Sequence, residues 1–119
     1  MNPAAAGLRV TEQDGVTRVD FIERNILDEA NIQLIGGELG RLVESSPRPR
    51  MLISFENVEH LSSAALGTLI TVNNQVKARD GQLRLSDISP QIKEIFSITR
   101  LDRLFQIHDT SDAAMATFG

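Results

Sequence analysis

Two periods of hydrophobic and polar positions divide the chain. Leu8 and Val10, then Val19 and Phe21, alternate with Arg9, Thr11, Arg18 and Asp20, the pattern of strands with one face in water. Asp14-Gly15 separates the segments Leu8–Gln13 and 16–22, and a two-residue Asp-Gly link predicts a β-hairpin, here at a sheet edge. From Asp28 the period lengthens. Ile32, Ile35, Leu39 and Leu42 fall at i, i+3, i+7 and i+10, which predicts an amphipathic helix. Gly36, Gly37 and Gly40 lie inside it; each costs a helix up to about 1 kcal/mol relative to Ala. They imply either close packing against a neighbour or a locally soft helix, and the pattern leaves both open. Pro47 and Pro49 end the helix within 45–50, because proline removes a donor and disfavours helix at the preceding residue.

Residues 51–55, Met-Leu-Ile-Ser-Phe, form a short apolar run that predicts a central strand covered on both faces. After a loop over 56–61, a second helical pattern runs over 63–79, with Ala65, Leu66, Leu69, Ile70, Val72 and Val76 on one arc. Asn73 falls inside that arc without a reason in the pattern. Asp80-Gly81 closes the helix, and 82–87 reads as another strand. Ser89-Pro90 is a cap followed by proline at the first helical position, opening a third helix with Ile92, Ile95 and Phe96 facing inward. A short strand over 104–108 and a short helix over 110–118, with Thr110 as cap, complete the order β-β-α-β-α-β-α-β-α. Strands alternating with helices require crossovers that lay helices against a mostly parallel sheet. The expected class is therefore α/β: one domain over 1–119, with a mixed, mostly parallel sheet, an N-terminal hairpin, about four helices and a flexible tail over 1–7.

Composition narrows the function. The 119 residues suit one domain, and 41% hydrophobic with 24% charged residues is ordinary for a folded globular chain. Aromatic residues are 4%, all Phe, which removes most of the basis for nucleic-acid stacking platforms. Twelve Lys and Arg are spread along a chain of net charge −4, which argues against a nucleic-acid partner. The absence of Cys excludes thiol chemistry and suits a cytoplasmic location. No basic cluster with an apolar run opens the chain, and no stretch approaches the roughly 20 apolar residues that span a bilayer, so no membrane insertion is expected.

The segment at 60–70, His-Leu-Ser-Ser-Ala-Ala-Leu-Gly-Thr-Leu-Ile, carries the candidate chemistry, because loops at the carboxyl ends of such strands are where partners meet the fold. Ser62 and Ser63 stand at a helix start, where a serine hydroxyl accepts from an orphan N–H and stabilises by about 1 kcal/mol. Capping accounts for one of them. Ala64 and Ala65 leave the turn uncrowded, the open space a modifying enzyme needs. A phosphoryl group there would carry about −1.5 to −2 charge at the positive end of the helix dipole. The fold would tolerate it, and a partner matched to a neutral hydroxyl would not.

In these residues, in the element order, and in residues 81–90 (Gly-Gln-Leu-Arg-Leu-Ser-Asp-Ile-Ser-Pro) and 95–105 (Ile-Phe-Ser-Ile-Thr-Arg-Leu-Asp-Arg-Leu-Phe), nearly the whole chain resembles the STAS domains, particularly bacterial anti-sigma factor antagonists. The family motif at this helix start reads approximately Asp-Ser-Ser-Gly-Leu-Gly, with its first serine phosphorylated by an anti-sigma factor that is also a kinase. Aligned through Leu66-Gly67, that position falls on Ser63, with Ser62 at the family's Asp, Ala64 at its second Ser and Ala65 at its Gly. The resemblance implies a non-enzymatic regulator that binds its anti-sigma factor kinase through His60, Leu61, Ser62, Ser63, Ala64, Ala65, Gly67 and Thr68. Phosphorylation of Ser63, or of Ser62 as the competing acceptor, would end the association, and a phosphatase would restore it. Asp28 corresponds loosely to a family acidic residue near the partner surface. The altered serine motif also admits a non-phosphorylated STAS module in a transporter-associated or sensory complex.

Catalytic readings have less to stand on. Gly-x-Ser-x-Gly, Gly-x-x-x-x-Gly-Lys-Ser/Thr and Gly-x-Gly-x-x-Gly are all absent. His60 and His108 are the sole imidazoles, too few for a zinc site without Cys. Glu56 and Glu59 beside the serine loop read as solvated charges. No catalytic residue, cofactor or metal is assigned.

Overall fold

The computed structural model describes residues 7–118. The expected tail over 1–7 lies outside them except for Gly7, whose carbonyl accepts from the Ile22 N–H at 2.9 Å. The elements are β1 Leu8–Gln13, β2 Val16–Phe21, β3 Asn25–Ile26, α1 Glu29–Glu44, β4 Arg50–Ser54, β5 His60–Leu61, α2 Ser63–Ala78, β6 Gln82–Ser86, α3 Pro90–Ile98, β7 Gln106–His108 and α4 Ser111–Met115, with a 3-10 turn Leu101–Arg103 before β7.

The main sheet has the order β1-β2-β4-β6-β7. The hairpin β1–β2 is antiparallel and lies at the edge as expected, and every other pair in this sheet is parallel. Asp14 and Gly15 both take positive φ, 53° and 80°, the geometry of the tight turn that matches strand twist. β4 is central, and Met51, Leu52 and Ile53 are all essentially inaccessible. Met51 and Ile53 face the large core under α1, α2 and α3, whereas Leu52 faces the opposite side with Val16 and Ala114. α4 covers that second face. Its attachment is polar as well as apolar: the hydroxyls of Ser54, Ser86 and Ser111 donate to one carboxylate oxygen, Asp87 Oδ2, at 3.1, 2.8 and 2.6 Å. Nothing in the sequence pattern signalled this knot. It explains two fully buried serines, since a buried hydroxyl must find a partner.

Several boundaries differ from expectation. The strand over 82–87 stops at Ser86, because Asp87 turns into the left-handed region at φ 58°. The segment 104–108 narrows to β7 because the 3-10 turn runs to Arg103 and Leu104 continues it, and the last helix is Ser111–Met115, capped by Thr110. The loop over 56–61 contains β5, which pairs in parallel with β3; two-residue strands carry no periodicity to read. In α1 the buried positions are Ile32, Ile35, Leu39 and Val43, with Leu42 only partly covered.

The glycine alternatives in α1 resolve by position. A Cβ at Gly36 would lie 3.2 Å from Thr68 Cγ2 of α2, and one at Gly40 would lie 3.5 Å from Gln75, while Gly37 faces open space. Close approach of α1 to α2 accounts for the first two. Gly81 is tighter: a Cβ there would stand 2.3 Å from the Pro49 carbonyl oxygen, the atom that accepts from Gln82 N–H at 2.8 Å. Gly81→Ala is expected to destabilise by about 1–3 kcal/mol through forced backbone displacement, and Gly37→Ala to stabilise by about 0.5–1 kcal/mol. Urea denaturation of the two variants checks the opposite signs.

Candidate functional site

The serine segment starts where the small β3–β5 sheet ends. Ile26 pairs with Leu61, and the Ser62 N–H donates to the Ile26 carbonyl at 3.1 Å. Two helices begin side by side from this sheet. Asp28 caps α1, accepting from Asn31 N–H at 3.0 Å, and Ser62 caps α2, accepting from Ala65 N–H at 3.2 Å. Both positive helix ends thus open on the carboxyl end of the main sheet. Carboxylates border it: Glu23 accepts from the Asn31 side chain at 3.0 Å, and Glu59 pairs with Arg24 at 3.5 Å on the surface.

The capping role falls on Ser62 rather than Ser63. Ser62 has the extended backbone of a cap residue, φ −81° and ψ 166°, and Ser suits that role as well as the Asp of the family motif does. Ser63 is the first helical residue and is exposed. Its hydroxyl makes no hydrogen bond among the described residues, and neither its N–H nor that of Ala64 meets a protein acceptor there. These are the orphan donors of the first turn. One hydroxyl is committed and the next is available, in a geometry where added negative charge meets unpaired N–H groups.

The other expected contact residues separate into two layers. His60, Ala64 and Gly67 are exposed and Thr68 is partly so; the Thr68 hydroxyl donates to the Ala64 carbonyl at 3.2 Å. Leu61 and Ala65, in contrast, are buried at 9% and 5% exposure and cannot present side chains to a partner. Leu61 alternates inward from His60 on its short strand, and Ala65 lies one helical step round from Ala64 toward the core, so both support the surface from beneath. His60 and the edge of Leu61 also border a groove of about 390 Å³, walled by Leu27 before α1 and by Gln91, Ile92 and Ile95 on α3. Ile95, expected inside, is 36% exposed, and Leu27 is 54% exposed. Sequence reasoning missed Leu27 and Gln91, since neither belongs to the serine segment; an apolar residue directly before a cap was the available signal for Leu27.

Among the described residues, no group of three His, Asp or Glu is placed to hold a metal ion. No described helix is long and apolar enough to cross a membrane. The geometry offers a surface with an available hydroxyl, to which no side chain among the described residues is hydrogen-bonded.

Residues 8–114 match the model of the STAS domain. BtrV of Bordetella bronchiseptica, named as a candidate anti-sigma factor antagonist, is 26% identical over 95 residues, covering 80% of this chain and 81% of that protein. A STAS-domain containing protein of Pseudomonas aeruginosa is 31% identical over 65 residues, 55% of this chain and 63% of that one. Among solved structures, an anti-sigma-factor antagonist domain protein from Planctomyces limnophilus superposes with a TM-score of 0.83 at 23% identity, covering 92% of this chain and 95% of that chain. The Bacillus protein SpoIIAA superposes at 13% identity in its unphosphorylated form, with a TM-score of 0.70, 92% of this chain and 94% of that one covered. Its phosphorylated form gives 0.69, covering 92% and 96%. At such identities the structural likeness establishes the fold.

The division of labour between the serines is measurable. Ser62→Ala is expected to cost about 1 kcal/mol of stability through the lost cap, and Ser63→Ala to stay within about 0.5 kcal/mol of the parent, as for other exposed substitutions. Thermal and urea melts of both variants distinguish them.

Proposed function

This chain belongs to the STAS domain family, and we propose that it acts as a cytoplasmic anti-sigma factor antagonist, non-enzymatic in itself, switched by phosphorylation of Ser63. The observation that carries the reading is the exposed, uncommitted Ser63 hydroxyl at the start of α2, beside a serine that already serves as cap. The partner is an anti-sigma factor that is also a serine kinase, docking on His60, Ser62, Ser63, Ala64, Gly67 and Thr68, with Leu61 and Ala65 beneath. In the phosphoryl transfer, Ser63 Oγ attacks the γ-phosphorus of ATP held by the kinase. The bond to ADP breaks, the hydroxyl proton passes to a base of the kinase, and ADP leaves.

The product carries about −1.5 to −2 charge. Inside this chain it meets the unpaired N–H groups of Ser63 and Ala64 and the positive end of the α2 dipole, so the fold accepts it. Across the interface it adds to the carboxylates of Asp28, Glu23 and Glu59 at the same end of the molecule. A docked surface matched to a neutral hydroxyl would bury that charge unpaired, which costs enough to end the complex. A phosphatase reverses the step. That SpoIIAA has a solved phosphorylated form, similar to this chain to the same degree as its unphosphorylated form, supports a mark that leaves the architecture standing.

Incubation with the cognate anti-sigma factor and ATP, followed by peptide mapping, is expected to place phosphate on Ser63. Phosphate on neither serine would reject the switch and leave a non-phosphorylated docking module, the role that Ser62 and Ala64 at altered motif positions would then fit. Ser63→Asp is expected to weaken binding of that partner at least about thirtyfold, roughly 2 kcal/mol, while Ser63→Ala retains it. Calorimetric titration of the three forms reads the difference.

A further inference from the structure

The groove beside the serine segment is lined by the buried Leu61 and Ile92 and by the exposed Leu27 and Ile95. Its volume of about 390 Å³ lies within the range of ligand-sized pockets, about 300–1,000 Å³. The apolar surface continues beyond it along α3. Gln91, Ile95 and Ile98 stand at i, i+4 and i+7 of that helix, a spacing that puts them on one face, and Ile98 is 74% exposed. Leu27, Ile95 and Ile98 are three of the five large apolar side chains that lie open among the described residues. Single exposed apolar residues are ordinary on a protein surface, whereas a gathered patch with a polar edge marks a place of association.

Two further observations say what covers this patch. The first is continuity with the serine face. Ile26 and Leu61 form one rung of the small sheet, and the next residue on each strand is Leu27 on one side and Ser62 on the other. The groove and the serine turn therefore start from the same rung, and His60 lines the groove while lying two residues before Ser62. The second is charge. Glu59 lines the groove, Asp28 and Glu29 follow Leu27 at the start of α1, and Arg24 is already paired with Glu59 at 3.5 Å. The polar edge is acidic, so it complements a basic segment.

We propose that the groove seats an amphipathic helix of the anti-sigma factor, whose aliphatic anchors, one turn apart, pack against Leu27, Ile95 and Ile98 and whose flanking Lys or Arg residues face Glu59, Asp28 and Glu29. The inference rests on the docking reading of the serine face and adds to it a second contact away from the acceptor hydroxyl. A helix fits because the exposed face of α3 presents a ridge at helical spacing, against which the ridges of a second helix pack. An aliphatic anchor entering a pocket floored by buried Leu61 and Ile92 loses its water and carries a large share of the binding free energy. The acidic edge steers the basic flanks and fixes the direction of approach. Seated there, the kinase is held beside Ser63 by contacts that do not involve the hydroxyl it modifies.

The test titrates the cognate anti-sigma factor against the parent protein, Leu27→Gln/Ile95→Gln, Ile98→Gln and the control Leu34→Gln, which replaces an open leucine of α1 outside the groove. The double variant is expected to bind at least about tenfold more weakly, Ile98→Gln at least about threefold, and Leu34→Gln as the parent does. In phosphorylation with ATP, the double variant is expected to raise KM for this protein by a similar factor with kcat unchanged, because the serine turn is intact. Ile98 is open enough that its replacement leaves the core alone, so its result stands even where a melt shows the double variant unfolded. Parental affinity in both groove variants, with Ser63→Asp still weakening the complex, would overturn the groove and leave the switch; a parent that does not bind the anti-sigma factor would overturn both. Equal loss in Leu34→Gln, or a dimer of the isolated protein that the double variant abolishes while anti-sigma factor binding persists, would also overturn the assignment, the latter by giving the groove to a second copy of this chain.

Discussion

Everything in this molecule depends on covering a central strand from both sides. Met51, Leu52 and Ile53 alternate between two apolar environments with no accessible surface left, so helices must lie on both faces of the sheet. Parallel neighbours on either side of β4 then force each connection to cross from one end of the sheet to the other. The crossovers put the start of α2 at the carboxyl ends of the strands and its last turn at the amino ends. One helix thereby contributes to two surfaces with different chemistry.

At the carboxyl end, the hydroxyl of Ser63 stands by unpaired N–H groups, and Asp28, Glu23 and the Arg24–Glu59 pair lie at the same end of the molecule. The backbone there favours added negative charge and the side chains around it do not. In the switch proposed above, the chain would tolerate a covalent mark that a docked partner rejects, because the two respond to different neighbours of the same atom. At the amino end the balance is inverted. Lys77 and Arg103 border a cleft lined by no carboxylate, Arg84 lies on the other face of β6 against Thr117 and Phe118, and Arg48 and Arg50 line, with Asp80, an adjoining depression. A modest overall charge conceals this separation.

The close approach of α1 to α2 belongs to the same economy of space. Gly36 and Gly40 let Thr68 and Gln75 come within side-chain contact, which brings the two capped helix starts together above β3 and β5. The Asp87 knot performs the corresponding task on the other face. Its carboxylate takes three serine hydroxyls from β4, β6 and α4, so the short last helix is held by charge-assisted hydrogen bonds as well as by Ala114 packed against Leu52.

Local rules written into adjacent residues were legible without coordinates. The alternation of the hairpin, the Asp14-Gly15 turn, the apolar run of β4, the caps Ser89 and Thr110 and the location of the serine segment all follow from period and turn chemistry. What neighbours decide was not legible. Which serine caps α2 depends on the chain's approach from β5; that Leu61 and Ala65 point inward while Ile95 lies open depends on how α3 meets the small sheet. Asn73 shows the limit plainly. Its place in an apolar arc could be counted along the chain, but that its Nδ2 is buried without an acceptor depends on how α2 meets the sheet, which only folding decides.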